Sequence, residues 1–464
     1  MNITCISHLN VSKHPIFRMG FLLLLLKLMY IYMVIKLLPT DYMLWSFRKN
    51  VNVDNIVYEL FPFGAALFIY LRMYRRNAIS AFSTMLFMVA FIPANSGLTL
   101  SNDPLDFYLQ INVYLILLLY MLGLYSIREG NQDYQGQQNS ILFKNKQKKK
   151  FRFIVIVALL VEIYQVYQYN GLNILSILSS VMYDVRADYA ESFAENTGSL
   201  FTYLAIILRA FTNWLLLIFL YYSIIKKNVL DVCFSIFVVL AIFSMQMMKS
   251  TLFVLVVVLY AAWATSKNKL NNISEVLIIS IFIFFVFAFV EYSLCETDII
   301  FDVVIRRLFY VTDYMEYCHY DFFSTHHKLW FTQDFFGLQN IFSQIFGRFY
   351  TKASVGVISD NCFEGLLQAP NSGLFAEGYA QLGYLGTIIF PFIHAKLIYW
   401  VYTISSNYGR GAAFIIMVKL CLSMLSIYIF ASAYFVPLLI FAFITYVLKT
   451  KKKKNESSST NVNI

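Results

Sequence analysis

Residues 16–38 form a predominantly apolar stretch long enough to cross a lipid bilayer as a helix, and runs like it recur along the whole chain. At roughly twenty residues per crossing, about twelve such segments are expected, at 16–38, 56–71, 78–94, 107–127, 153–169, 200–225, 229–245, 251–265, 273–290, 372–403, 412–430 and 433–448. The lipid interior offers backbone amides no water, so segments of this length must close their hydrogen bonds internally as helices. The expected fold class is therefore an all-α polytopic membrane protein. Composition agrees: 59% of residues are hydrophobic and 13% charged, where a soluble domain carries about a quarter charged. The first run is too long for a signal-peptide core and has no small-residue cleavage site, so it is read as a retained span.

The net charge of +10 does not imply a nucleic-acid partner, because the basic residues sit in short clusters beside apolar runs. They are orientation signals. With a cytoplasmic N-terminus, the inner loops collect Arg72, Arg75, Arg76, the basic run at 144–152, Lys226, Lys227, Lys267, Lys269, Arg410 and the lysines of 449–454. Both termini then lie in the cytoplasm and the loops at 170–199 and 292–371 lie on the outer face. Residues 1–464 are read as a single integral membrane domain, with 455–464 a disordered cytoplasmic tail. The long outer loop is expected to hold short amphipathic helices lying on the membrane. The 6 cysteines are scattered without metal-type spacing or a paired framework.

The outer loops carry the chemistry. Arg186, Lys249, Arg306, Arg307, Arg348 and Lys352 stand on the outer side against the general trend, and arginine forks there suit an anionic ligand such as a lipid diphosphate. For any one of them, headgroup contact or pairing with Asp184, Asp188 or Asp302 is the competing reading; as a set they favour a site. Arg209 falls mid-span, too deep to reach water easily, and is expected to face the bundle interior. Lys27 and Lys36 also fall within a span but are expected to reach its ends.

Asp360, Glu364 and Glu377 lie close to the start of the segment at 372–403, where an unpaired charge is costly and marks function by default. Glu377 is the first candidate for a general base on a sugar hydroxyl, with Asp360 second; a structural ion pair of Glu377 with Arg209 or Lys249 is its alternative. Tyr310, Tyr314, Tyr317, Tyr320, Trp330 and Tyr350 read either as platforms for sugar rings or as interfacial anchors. Around His319, His326 and His327 no spacing completes a ligand set, so neither metal nor cofactor is expected.

These features resemble those of the Wzy-type polysaccharide repeat-unit polymerases, which include the O-antigen polymerases. The resemblance rests on the whole-chain pattern of spans with a second, larger outer loop, on Arg186, on Met248-Lys-Ser-Thr251, on Arg306-Arg-Leu-Phe309, and on Asn371-Ser-Gly-Leu-Phe-Ala-Glu-Gly-Tyr-Ala-Gln-Leu-Gly-Tyr-Leu-Gly386. It implies a GT-C-like helical fold and an inverting glycosyltransferase without a cofactor, in the bacterial inner membrane. Its substrates would be undecaprenyl-diphosphate-linked oligosaccharides, its surroundings membrane lipid, and its protein partner a chain-length regulator. By that resemblance Arg186, Lys249, Arg306 and Arg307 are diphosphate contacts and Glu377 or Asp360 is the base; Arg209 and Arg348 are assigned to the same diphosphate from their own positions. An O-antigen ligase has a similar architecture, and a lipid-linked oligosaccharide flippase is the alternative from a different class. A flippase is expected to have short loops and two similar halves, which this sequence does not display.

Overall fold

A computed structural model describes residues 15–38, 50–74, 77–129, 214–246, 249–267, 269–352, 354–363 and 373–459, with isolated residues in 152–160. The regular elements among them are helices: α1 (Pro15–Leu37), α2 (Ile56–Met73), α3 (Ala78–Asn95), α4 (Leu105–Glu129), α5 (Leu216–Ile225), α6 (Val229–Gln246), α7 (Lys249–Ser266) and α8 (Ile273–Cys295). There follow α9 (Val311–Thr325), α10 (Leu338–Phe346), α11 (Ser354–Phe363), α12 (Leu374–Leu382), α13 (Tyr384–Ser405), α14 (Arg410–Met424) and α15 (Ser432–Ser459). Among the described residues 6 helices, α1, α2, α3, α4, α8 and α13, are long and apolar enough to cross a membrane, the mark of a multi-pass helical membrane protein. Most of the expected spans at 153–169 and 200–225, and the loop at 170–199, lie outside the described residues.

The centre of the bundle is formed by α3, α4, α13 and α14, with α4 packed along α13 and α14 along α3. α3 is buried along nearly its whole length, and its regularity gives way at Phe87–Phe91, a π-helical turn in which the amide of Ile92 reaches back to the carbonyl of Phe87. Pro93 explains the widening: it has no amide to donate and its ring crowds the preceding turn, so the helix relaxes its register just upstream.

Four expectations are corrected here. Residues 372–403 do not form one span. The chain breaks at Gly383, whose φ of 59° and ψ of −134° suit only a residue without a Cβ, and the short α12 is thereby separated from α13. The segment at 412–430 is helical only to Met424, after which turns lead through Phe430 into α15. That last helix runs on to Ser459, into the stretch expected to be a tail, because the intervening lysines are good helix formers.

A fourth correction concerns Lys27. It does not reach the end of α1 but is fully buried, and its ammonium donates to Glu59 Oε2 at 2.8 Å, Asn95 O at 3.2 Å and Asn95 Oδ1 at 2.5 Å. Glu59 Oε1 accepts the amide of Thr99 at 2.8 Å, and Asn95 Nδ2 donates to Tyr108 and Asn112. Burying a charge is tolerated only when every donor and acceptor finds a partner, and here α1, α2, α3 and α4 supply them together. The outer loop is likewise more deeply embedded than expected. Among the loop's described helices only α10 lacks buried residues; α9 packs against α12 and buries Met315, Cys318, Phe322 and Phe323.

Candidate functional site

Glu377 sits in the first turn of α12 and is 1% exposed. Its Oε1 accepts the amide of Phe430 at 2.9 Å, and its Oε2 lies 3.0 Å from Nε2 of His394 on α13. The other imidazole nitrogen, Nδ1, is hydrogen bonded to the hydroxyl of Tyr114 on α4. Both His394 and Tyr114 are fully buried. With Tyr114 O–H donating to Nδ1 and Nε2–H donating to the carboxylate, the neutral imidazole satisfies both contacts. The rings of Phe375, Phe390 and Phe430 pack around this chain, Phe430 stacking on His394 at 5.7 Å. A buried tyrosine, histidine and carboxylate in series can pass a proton along their hydrogen bonds without admitting bulk water.

The helix that carries Glu377 is held at its N-terminus from outside. Its cap residue, Gly373, has no side chain to satisfy the first amides. Glu316 on α9 supplies the acceptor instead, taking the amide of Ala376 on Oε2 at 2.5 Å. The carboxyl lies so close that a Cβ on Gly373 would stand 1.6 Å from Glu316 Oε1, so the position requires glycine. Burial pushes the Glu316 carboxyl up to about 8, against the opposing pull of the Ala376 and Phe375 amides, with nearby Glu377 adding to the rise. One turn further, His319 is fully buried, donates Nδ1–H to the carbonyl of Met315 at 2.8 Å and is held neutral, burial lowering it to about 4.

Of the residues expected at the site whose side chains the structure describes, only Glu377 lies in this cluster. Its partners among the described residues are His394 and the Phe430 amide; Arg209 and the side chain of Lys249, the alternatives for an ion pair, lie outside what the structure describes. Asp360 is exposed on α11 and pairs with Lys352 at 2.7 Å, a surface pair of small energetic worth. Arg348 is exposed. Arg306 is buried and Arg307 half-buried on the π-helical segment Phe301–Tyr310 that leads into α9, so Arg306 is drawn into the bundle instead of facing outward. Lys249 opens α7. Arg186, Arg209 and Glu364 lie outside the described residues. His326 and His327 point to different neighbours, stacking on Phe322 and Phe349 respectively.

His394, Tyr114 and Glu316 were not among the expected site residues. His394 had a readable signal, a histidine in the middle of an apolar span. Tyr114 had none, and Glu316 was hidden in a helix assigned to the membrane surface. Among the described residues no group of His, Cys, Asp and Glu side chains converges in a way that would hold a metal ion. No protein-family profile, no curated protein and no solved structure matches the chain.

Proposed function

We propose that this protein is a polysaccharide repeat-unit polymerase of the Wzy type, a GT-C-like bundle of about twelve spans in the bacterial inner membrane with both termini in the cytoplasm. It would transfer a growing chain from its undecaprenyl diphosphate to the terminal sugar of an incoming lipid-linked unit at the outer face. In that reaction the acceptor hydroxyl gives up its proton as its oxygen bonds to the donor's anomeric carbon. The bond from that carbon to the diphosphate breaks with inversion, and the diphosphate leaves with the electron pair. Inversion requires the base and the leaving group on opposite sides of the sugar ring. Glu377 is the group assigned to take the proton, and His394 with Tyr114 the means of stabilising or passing it on. Arg307, with Arg186, Arg209, Lys249, Arg306 and Arg348, would stabilise the departing diphosphate.

The observation that carries this reading is the Glu377–His394 contact at 3.0 Å in a buried setting, on a half-helix where an outer-face acid was expected. Purified protein given lipid-linked repeats and no lipid A core should lengthen them; failure to do so would favour a ligase. A second reading, a lipid-linked oligosaccharide flippase, draws support from the helix break at Gly383 beside buried ionisable groups, an arrangement transporters use. Cells lacking the protein separate the two: single repeats on the surface point to a polymerase, and lipid-linked repeats trapped in the cytoplasmic leaflet to a flippase.

A further inference from the structure

The C-terminal end of α12 bears a second cluster, distinct from the Glu377 chain. Asp106, exposed in the first turn of α4, accepts Tyr320 Oη at 2.6 Å, Tyr384 Oη at 2.8 Å and Gln110 Nε2 at 2.9 Å, all on Oδ2. Its Oδ1 has no hydrogen-bond partner among the described residues. Gln110 is itself held by Thr387 at 3.2 Å, so the carboxylate is fixed from α4, α9 and α13 at once. Beside it lies Tyr379, with ring centroids 5.1 Å from Tyr320 and 6.2 Å from Tyr384. Tyr379 is fully buried, yet its hydroxyl has no hydrogen-bond partner among the described residues.

Above the Tyr379 ring, 5.1 Å from its centroid, stands the half-buried ammonium of Lys328, which donates no hydrogen bond among the described residues. The stretch after Lys328 is pinned to the same end of α12, Leu329 N donating to Ala380 O at 2.8 Å and Phe331 N to Gln381 Oε1 at 2.7 Å. Lys328 is thus positioned rather than loose. Tyr384 is 60% exposed although its hydroxyl is tied down, so one aromatic surface faces outward beside the unused acceptor of Asp106 and the unused donor of Lys328.

We propose that Asp106, Tyr379, Tyr384 and Lys328 form a carbohydrate subsite that seats one sugar ring at the rim of the half-helix carrying Glu377. A sugar ring presents a face of C–H bonds that packs on an aromatic side chain, and hydroxyls that both donate and accept. Tyr384 offers the stacking surface, Asp106 Oδ1 accepts from a hydroxyl, and Lys328 donates to its neighbour from its place over the buried Tyr379 ring. The choice of a saccharide rests on the proposed function, and Tyr379 stands on the same short helix as Glu377, two residues further along.

The test uses the full chain in lipid nanodiscs and, as probe, the saccharide repeat released by mild acid from the lipid-linked oligosaccharide of the same cells. Binding is followed by saturation-transfer NMR and titration. The wild type should bind the free saccharide, and Tyr384→Ala, Asp106→Asn and Lys328→Met should each weaken it about tenfold or more, the scale of losing a contact to a charged group or a stacking face. Tyr384 and Lys328 are partly solvent-facing, so their replacement leaves the core intact, and unchanged melting temperatures verify this. Wild-type affinity in all three variants, or no saturation of the wild type, overturns the subsite. So does displacement of the saccharide by undecaprenyl diphosphate alone, which would make the cluster a phosphate site. Glu377→Gln distinguishes the two proposals: it should bind the saccharide yet fail to extend chains. Normal extension by this variant with binding lost in Tyr384→Ala would refute the base assignment and leave the subsite standing.

Discussion

Glu377 Oε2 and His394 Nε2 stand 3.0 Å apart on two helices that the chain separates by a single glycine turn at Gly383. The break is what allows the contact: it folds α12 back against α13, so residues far apart along one continuous helix meet side by side. If this pair moves the acceptor's proton, His394→Ala should lower chain extension by about 10²–10⁴-fold, as for loss of a general acid or base. Tyr114→Phe, which removes one hydrogen bond and keeps the ring, should cost about tenfold. Rates on purified lipid-linked repeats check both, and wild-type turnover by His394→Ala would remove the histidine from the account.

Gly373 and Glu316 predict a steric effect. A methyl group at Gly373 cannot coexist with the carboxyl that caps α12, so Gly373→Ala should destabilise the protein by about 1–3 kcal/mol. Glu316→Gln keeps a carbonyl oxygen for the Ala376 amide and should be much milder near neutral pH. Melting temperatures of the two variants in detergent should differ in that order.

Stability should depend on pH through the same region. The Glu316 carboxyl, raised from 4.5 to about 8, keeps a proton in the folded chain that the unfolded chain releases. Its contribution is full below pH 4.5 and is lost as pH rises toward 8. His319, lowered from 6.5 to about 4, stays neutral when folded while the unfolded chain takes up a proton, so its contribution is full above pH 6.5 and is lost as pH falls toward 4. Melting temperature should fall between pH 6.5 and 8 and again at the acid end near 4. Glu316→Gln should flatten the alkaline fall, and His319→Gln the acid one.

The Lys27–Glu59 pair offers a test in the membrane core. Lys27→Met alone leaves the Glu59 carboxylate buried without its main partner and should cost about 3–5 kcal/mol. Pairing it with Glu59→Leu should recover most of that loss, since two apolar side chains need no compensation. Equal destabilisation by the single and double variants would mean that packing, not charge, governs this site.

Much of the helical layout was legible because runs of about twenty apolar residues have few other solutions. Gly383 was not, since Leu382-Gly-Tyr-Leu-Gly386 is as apolar as its surroundings and a break leaves no trace in hydropathy. The site inherits that blindness: Glu377 could be singled out as an acid at a span's edge, but its pairing with His394 depends on the hidden break. Lys27 failed for a related reason. Its distance along α1 suggested reach to the interface, while the partner that makes burial tolerable, Glu59, comes from another helix. Apart from the mid-span Arg209, the arginines stand out by side of the membrane, and burial of Arg306 depends on how the π-helical segment packs, which spacing does not encode.

The most direct measurement is the length distribution of surface polysaccharide in cells whose own copy is replaced by Glu377→Gln. The account predicts that the variant reaches the membrane in normal amount and that the long-chain ladder collapses to single repeats, as in cells lacking the protein. A ladder indistinguishable from wild type would contradict it.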